Sequence, residues 1–272
     1  MWGAIFGDIV GSLYEFRAKP PENFPLLHPA AYFTDDTVLT VAVADHFVHE
    51  INVISLFQQY GRRYSNCGFG ARFYQWIWND NPQPLQSWGN GAAMRISPVG
   101  WVASNEHEVL SLARNITTVS HNHPEGIRGA QAVAMAIFLA HRRGRNDAIR
   151  IGEKLQIIDR IESMFGYDLH TPLRERNSNP PPFFEWDPAS YLISCQYSVP
   201  IALRIFMESQ NFTDAIRKAV LLGGDTDTIA CITGSIAEAF YGIPSDYIQY
   251  VCGKLPKEFI SVINSFFEKF GH

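Results

Sequence analysis

The chain has 272 residues, 46% of them hydrophobic, and a formal net charge of −5. That composition supplies a sizeable core and excludes a disordered chain, while mild acidity without any Lys/Arg run argues against a nucleic-acid groove. No apolar run reaches the ~18 residues of a membrane-spanning helix; the longest candidate, "AVAMAIFLA" at 132–140, is half that length.

The opening "MWGAIFGDIVGS" interrupts its apolar residues with Asp8 and has no basic leader, so a signal peptide is not expected. Gly3, Gly7 and Gly11 form an i, i+4, i+8 row. Glycine inside a helix costs about 1 kcal/mol relative to alanine, so three on one face predict a close neighbour there. Asp8 and Glu15, two helical turns apart, share another stripe if the helix runs that far. The next helix start is "FTDDT", with Thr34, Asp35 and Asp36 ahead of an apolar run.

"SWGNGAAMRISPVGW" (87–101) sets Ser87, Gly89, Asn90 and Gly91 before a second apolar run. Such a turn entering a helix can present amides to phosphate or be an ordinary helix start; it matches neither the P-loop nor GxGxxG. Asn105 and Glu108 have capping-box spacing for a helix through Val109, Leu112, Ala113 and Ile116. "SHNHPEG" places His121 and His123 just before Pro124, which suits the first turn of a helix with Ile127, Ala130, Val133, Ala134, Ile137 and Phe138 on one face. At that N-terminus the imidazoles are expected to have depressed pKa values and to donate to an anion, or to be plain surface groups.

Asn146 opens another stripe that Gly166 ends, and "HTPLRERNSNPPPFFEWDP" (170–188) reads as a long ordered loop over a site rather than a linker. Asp187-Pro188 starts a run to about Ser209 with a kink or break expected at Pro200. Thr213 caps the next helix, and Pro256 opens the last. Convincing strand alternation is absent, so the expected architecture is all-α. The four cysteines, 67, 195, 231 and 252, lie far apart without a CxxC pair, which fits neither a zinc site nor a disulfide framework and suggests a cytoplasmic protein.

The second acidic cluster is "GGDTDT", with Asp225, Asp227 and Thr228 before a further apolar run. Either cluster alone can be a helix cap. Together they offer carboxylates and hydroxyls, the donors of hard cations such as Mg²⁺ or Mn²⁺ rather than zinc. Two cations about 3.5–4 Å apart can polarise a hydroxyl and acidify a water. Sharing one centre requires the two clusters to meet in space, so the chain is read as a single domain, residues 1–272.

"GAIFGDIVGSLYEF", "FTDDT", "GNGAAMR", "SHNHPEG" and "LGGDTDTIACITGSIAEAFYG" follow the order and nearly the wording of the ADP-ribosylglycohydrolase family, which the chain resembles from residue 1 to about 243. The resemblance implies a helical fold with two Mg²⁺ or Mn²⁺ ions in a central cleft. Thr34, Asp35, Asp36, Asp225, Asp227 and Thr228 match the family's metal ligands, and Glu15 matches an acidic residue beside them. Ser87, Trp88, Gly89 and Asn90 match a loop lining the ADP-ribose phosphates and ribose, though Trp88 stands where some members carry a smaller residue. His121 matches a ligand-contacting histidine, and "NCGFG" (66–70) resembles a loop near the nucleotide.

The implied activity is hydrolysis of the anomeric bond between ADP-ribose and a modified acceptor, arginine in protein being the leading choice. Such cleavage passes through an oxocarbenium-like state, with Glu15, Asp35 or Asp36 handling the proton of the attacking water. The expected partner is an ADP-ribosylated protein or small molecule, with neither nucleic acid nor membrane. The alternatives are a two-metal hydrolase of another nucleotide derivative, and a non-catalytic ADP-ribose binder or crystallin-like structural protein.

Overall fold

The computed structural model describes residues 1–142, 150–175 and 188–271. The elements are helices in the order α1 (Trp2–Gly11), α2 (Asp35–His49), α3 (Val53–Arg63), α4 (Ala71–Ile77), α5 (Gly91–Met94), α6 (Ser97–Val102), α7 (Glu106–Thr118), α8 (Pro124–Arg142), α9 (Arg150–Phe165), α10 (Pro188–Leu192), α11 (Cys195–Glu208), α12 (Phe212–Leu222), α13 (Thr226–Tyr241), α14 (Ser245–Cys252) and α15 (Lys257–Phe270). No strand occurs among the described residues, as the sequence predicts. None of these helices is long and apolar enough to cross a membrane, and the four cysteines are free.

Helix α13 lies at the centre, packed by α1, α8, α11 and α12. It is buried from Thr226 to Phe240, and α1 is buried along its whole length. A helix apolar on every side belongs inside. The glycine row explains how two such helices meet. A Cβ on Gly3 would lie 2.3 Å from the Gly234 carbonyl oxygen, one on Gly7 2.0 Å from that of Ala230, and one on Gly11 2.4 Å from the Asp227 Cα. The helices therefore run antiparallel with backbones touching. Both ends are tied: buried Glu238 of α13 accepts the Trp2 and Gly3 N–H groups at 3.2 and 2.8 Å, and the Thr226 hydroxyl donates to the Gly11 carbonyl at 2.8 Å.

Several helix starts follow the sequence and several do not. Asn105 caps α7 by accepting from the Glu108 N–H at 3.0 Å, but the Glu108 carboxylate turns back to the Ser104 N–H at 2.7 Å rather than to Asn105. Pro124 begins α8, and Pro256 stands at the N-cap position that opens α15, as expected. Asn211, not Thr213, caps α12, because its side chain reaches the Asp214 N–H at 2.9 Å. Pro200 sits inside α11, and the break comes earlier, at Ile193–Ser194. Helix α1 stops at Gly11, so Glu15 belongs to the following turn and shares no helical stripe with Asp8. Asn146 lies outside the described residues, as does 176–187 of the expected loop; the preceding Arg174 and Glu175 are exposed and paired at 3.2 Å.

Candidate active site

The α1–α13 contact delivers one acidic cluster. It sets the N-terminus of α13, with Asp225, Asp227 and Thr228, beside the end of α1 and the turn carrying Glu15. Phe16 and Gly224 close that turn, the Phe16 N–H donating to the Gly224 carbonyl at 2.8 Å. Gly223 and Gly224 have φ of 83° and 77°, a left-handed backbone that side chains resist. The glycines of GGDTDT thus make the bend that turns two carboxylates inward.

Asp8 delivers the other cluster. Wholly buried on α1, it accepts the Thr34 N–H at 2.9 Å, the Thr34 hydroxyl at 2.7 Å, the Thr37 N–H at 3.1 Å and the Thr37 hydroxyl. Thr34 itself caps the Asp36 N–H at 3.3 Å. Capping of α2 is therefore carried by Asp8 and Thr34, and the side chains of Asp35 and Asp36 are not needed for it. Asp225 holds the N-cap position of α13 but makes no capping hydrogen bond; its carboxylate takes the Asn90 amide at 2.6 Å instead.

The two clusters meet. The Thr228 hydroxyl donates to Asp36 Oδ2 at 3.2 Å. Asp8, Asp36 and Asp227 each present an oxygen within 4.8 Å of the others, and so do Glu15, Asp225 and Asp227. Asp227 belongs to both groups, so they adjoin. Asp35 stands in neither triad; it lines the cavity near Gly68, its N–H held by the Cys67 carbonyl at 2.7 Å. Asp36 Oδ1 is buried without a hydrogen-bond partner.

Crowded carboxylates with little water around them resist ionisation. Burial pushes the Asp8 carboxyl up to about 6, offset in part by the threonine hydrogen bonds. Asp35, Asp36 and Asp227 lie well above the usual range, first through burial and then through neighbouring carboxylates. Asp225 is raised by burial, and Glu15, only half-buried, by burial and the charges of Asp225 and Asp8. An all-oxygen donor set, an orphaned carboxylate oxygen and suppressed acidity fit hard divalent cations.

A cavity of about 430 Å³ opens over the acidic groups, lined also by Gly68, Gly70, Ser87, Gly89, Asn90, Gly91, Arg95 and His121. The run Gly91–Met94 makes only one turn of helix, so 87–91 acts as a loop rather than the start of a long helix. Backbone bonds fix it to the α10–α11 junction, Asn90 N–H to Ile193 carbonyl and Cys195 N–H to Trp88 carbonyl, both at 2.9 Å. Asn90 also donates to the Ser198 hydroxyl at 2.9 Å. The Trp88 ring is turned to the His123 ring, 5.3 Å between centroids. His123 caps α8, its Nδ1 accepting the Glu125 N–H at 3.1 Å, whereas His121 is buried. Burial, Arg95 and Arg72 hold the His121 imidazole well below its ordinary pKa, so it is neutral.

Two contributors are clearer here than in the sequence. Asp8 was visible as a carboxylate in an apolar stretch, but its contact with Asp36 and Asp227 depends on tertiary packing. Arg95, a lone cation in "GAAMRISPVGW", is fully buried beside the cavity, its guanidinium 4.6 Å from the Phe57 ring centre and 5.5 Å from that of Phe73.

The model of the family described as ADP-ribosylglycohydrolase matches residues 1–271. The chain is 26% identical to human ADP-ribosylhydrolase ARH3, with 89% of this chain and 84% of the human protein aligned. It is 23% identical to the ADP-ribosylarginine hydrolase Tri1 of Pseudomonas putida strain GB-1, over 92% and 72% of the two chains. Among solved structures, an ADP-ribosylglycohydrolase-related protein complex shares the fold with a TM-score of 0.70 at 24% identity, covering 98% of this chain and 94% of the other. With a family match running from end to end and relatives aligned over most of their length, this chain belongs to the ADP-ribosylglycohydrolase family and is a glycohydrolase enzyme.

Proposed function

We propose that the protein is a metal-dependent hydrolase that releases ADP-ribose from a modified acceptor, with ADP-ribosyl-arginine in protein as the preferred substrate. The observation that carries this reading is the Thr228–Asp36 hydrogen bond, which joins the two acidic motifs beneath one cavity. Asp8, Asp36 and Asp227 would hold one divalent cation, Mg²⁺ or Mn²⁺, and Glu15, Asp225 and Asp227 a second, with Asp35, Thr34 and Thr228 alongside. When bound, such ions supply Lewis-acid polarisation of substrate oxygens and acidify water.

The chain's own residues divide the remaining work. The cavity volume falls in the range of small-ligand sites, roughly 300–1,000 Å³. Its 87–91 loop brings the Ser87 hydroxyl to the cavity wall, with Asn90 held in place by its own bonds to Ser198 and Asp225, and His121 adds a neutral imidazole. Asn90 also keeps Asp225 aimed at the centre. Glu15 is the most accessible acid of the second triad, and its raised pKa suits a group that takes a proton from water and returns it. A half-buried carboxylate at the mouth favours a cationic acceptor such as a guanidinium, and the name of the Pseudomonas relative points the same way.

The test is a panel of ADP-ribosylated arginine, serine and nucleic acid incubated with Mg²⁺ or Mn²⁺, reading free ADP-ribose. EDTA-sensitive release, fastest from arginine, is expected. Tight ADP-ribose binding without release from any substrate would overturn the hydrolytic reading. Asp35→Ala is expected to abolish release, and near wild-type turnover by that variant would remove Asp35 from the machinery.

A further inference from the structure

His121 Nδ1 faces two partners inside the protein. It lies 2.8 Å from the Ser120 hydroxyl and 3.3 Å from Arg95 Nη2, and Arg95 Nη2 lies 2.6 Å from the same hydroxyl. A guanidinium only donates, and even with its pKa lowered by burial to about 9, Arg95 stays charged near neutral pH. Its Nε and Nη1 have no hydrogen-bond partner and lie with the Phe57 and Phe73 rings, which fix the plane and leave Nη2 as the donating corner. Ser120 therefore accepts from Arg95, and the proton of its own hydroxyl has one acceptor in the triangle, His121 Nδ1. A proton on Nδ1 would instead confront the Arg95 N–H and strand the serine proton. The other ring nitrogen, Nε2, makes no hydrogen bond to the described residues. It borders the cavity where Gly89 and Gly91 lack side chains; Cβ atoms there would stand 3.7 and 3.3 Å from it.

We infer that Arg95 and Ser120 are positioning residues that lock His121 as the Nε2–H tautomer, so that it enters the cavity as an obligate donor to a ligand oxygen. On the ADP-ribose reading, which this inference extends, that oxygen belongs to the diphosphate or a ribose. An imidazole free to switch tautomer would present an acceptor part of the time and repel the same oxygen. The glycines at 89 and 91 then do more than turn the chain, since they clear the approach to the donor.

The experiment has two arms. In ligand-free, Mg²⁺-loaded protein labelled with ¹⁵N-histidine, nuclear magnetic resonance is expected to show His121 with Nε2 protonated and Nδ1 bare. A predominantly Nδ1–H ring would overturn the inference. In the second arm, Arg95→Met and Ser120→Ala are expected to mix the tautomers and weaken ADP-ribose binding, on the order of 10-fold, while Ser120→Thr restores both. In a His121→Ala background the same substitutions should cost nothing further. Unchanged tautomer and affinity in the variants, or an undiminished loss without His121, would also overturn it. If Arg95→Met does not fold, Ser120→Ala carries this arm alone. Failure of the wild-type protein to bind ADP-ribose would strike the functional reading, whereas the ligand-free spectrum still decides the tautomer.

Discussion

One oxygen of Asp36 accepts from the Thr228 hydroxyl at 3.2 Å and lies 3.4 Å from the Thr34 hydroxyl, whose proton goes to Asp8, while the other is buried with no hydrogen-bond partner. A buried carboxylate oxygen left bare costs more than a hydrogen bond gains, and a cation on the proposed centre would relieve that cost. Asp36→Asn is accordingly expected to lower EDTA-sensitive release of ADP-ribose on the order of 100-fold or more, the scale of losing one electrostatic contact at a reacting centre, with the helical circular dichroism unchanged. Asn90→Ala acts one step out: Asp225 loses the amide that aims it, and metal affinity measured by calorimetry should fall about 10- to 100-fold. At this scale the sequence was informative where chemistry is local. TDDT and GGDTDT could be read as oxygen-donor sets, whereas His121 could be read from its position only as an anion donor or a surface imidazole, and the structure buries it beside the cavity. The sequence could not reveal that Asp8, rather than Asp35, completes a triad with Asp36 and Asp227, because that depends on how α1 lies against α2.

The α1–α13 pair aligns the site. Its glycines were legible as a row, since three in one apolar helix demand a close neighbour, but the neighbour's identity was not. Gly7→Ala would drive a Cβ to 2.0 Å from the Ala230 carbonyl oxygen, and neither backbone can yield without moving the acidic termini. The variant is expected to lose about 3 kcal/mol or more of stability in thermal or denaturant unfolding. Gly70→Ala, with nothing within 4 Å of the added carbon, should stay within about 0.5 kcal/mol. Helix boundaries were less legible where several caps compete. The chain offers Asn211 and Thr213 two residues apart, and the one whose oxygen reaches the Asp214 N–H wins. Pro200 was expected to kink or break its helix, yet it is accommodated within α11, and the helix is interrupted instead at 193–194, where the Ile193 carbonyl and the Cys195 N–H bond the 88–90 loop.

Across the whole molecule, six carboxylates gather at one point and their acidity is suppressed. For a group whose folded pKa is raised, the stabilising contribution is complete below the unfolded pKa and disappears as pH climbs through the folded value. Metal-free protein should therefore lose stability as pH rises from about 4 through about 6, where Asp8 titrates, and further above that as Asp35, Asp36 and Asp227 ionise. Thermal unfolding in EDTA is expected to show a lower Tm at the upper end of that window. Saturating Mg²⁺ should reverse the trend, by about 2.7 kcal/mol at a hundred times its Kd; a Tm that rises with pH in EDTA and ignores Mg²⁺ would contradict this. All-helical architecture and the pairing of distant motifs were readable because apolar periodicity and donor chemistry recur along the chain, while the antiparallel α1–α13 seam that unites them exists only in three dimensions. The most direct test is a Mn²⁺ titration by calorimetry on the wild type, Asp36→Asn, Asp227→Asn and the double variant. A shared centre predicts that either single change removes high-affinity binding and that the double is no worse. Wild-type affinity in either single variant, or losses that simply add, would show two independent helix ends rather than one metal site.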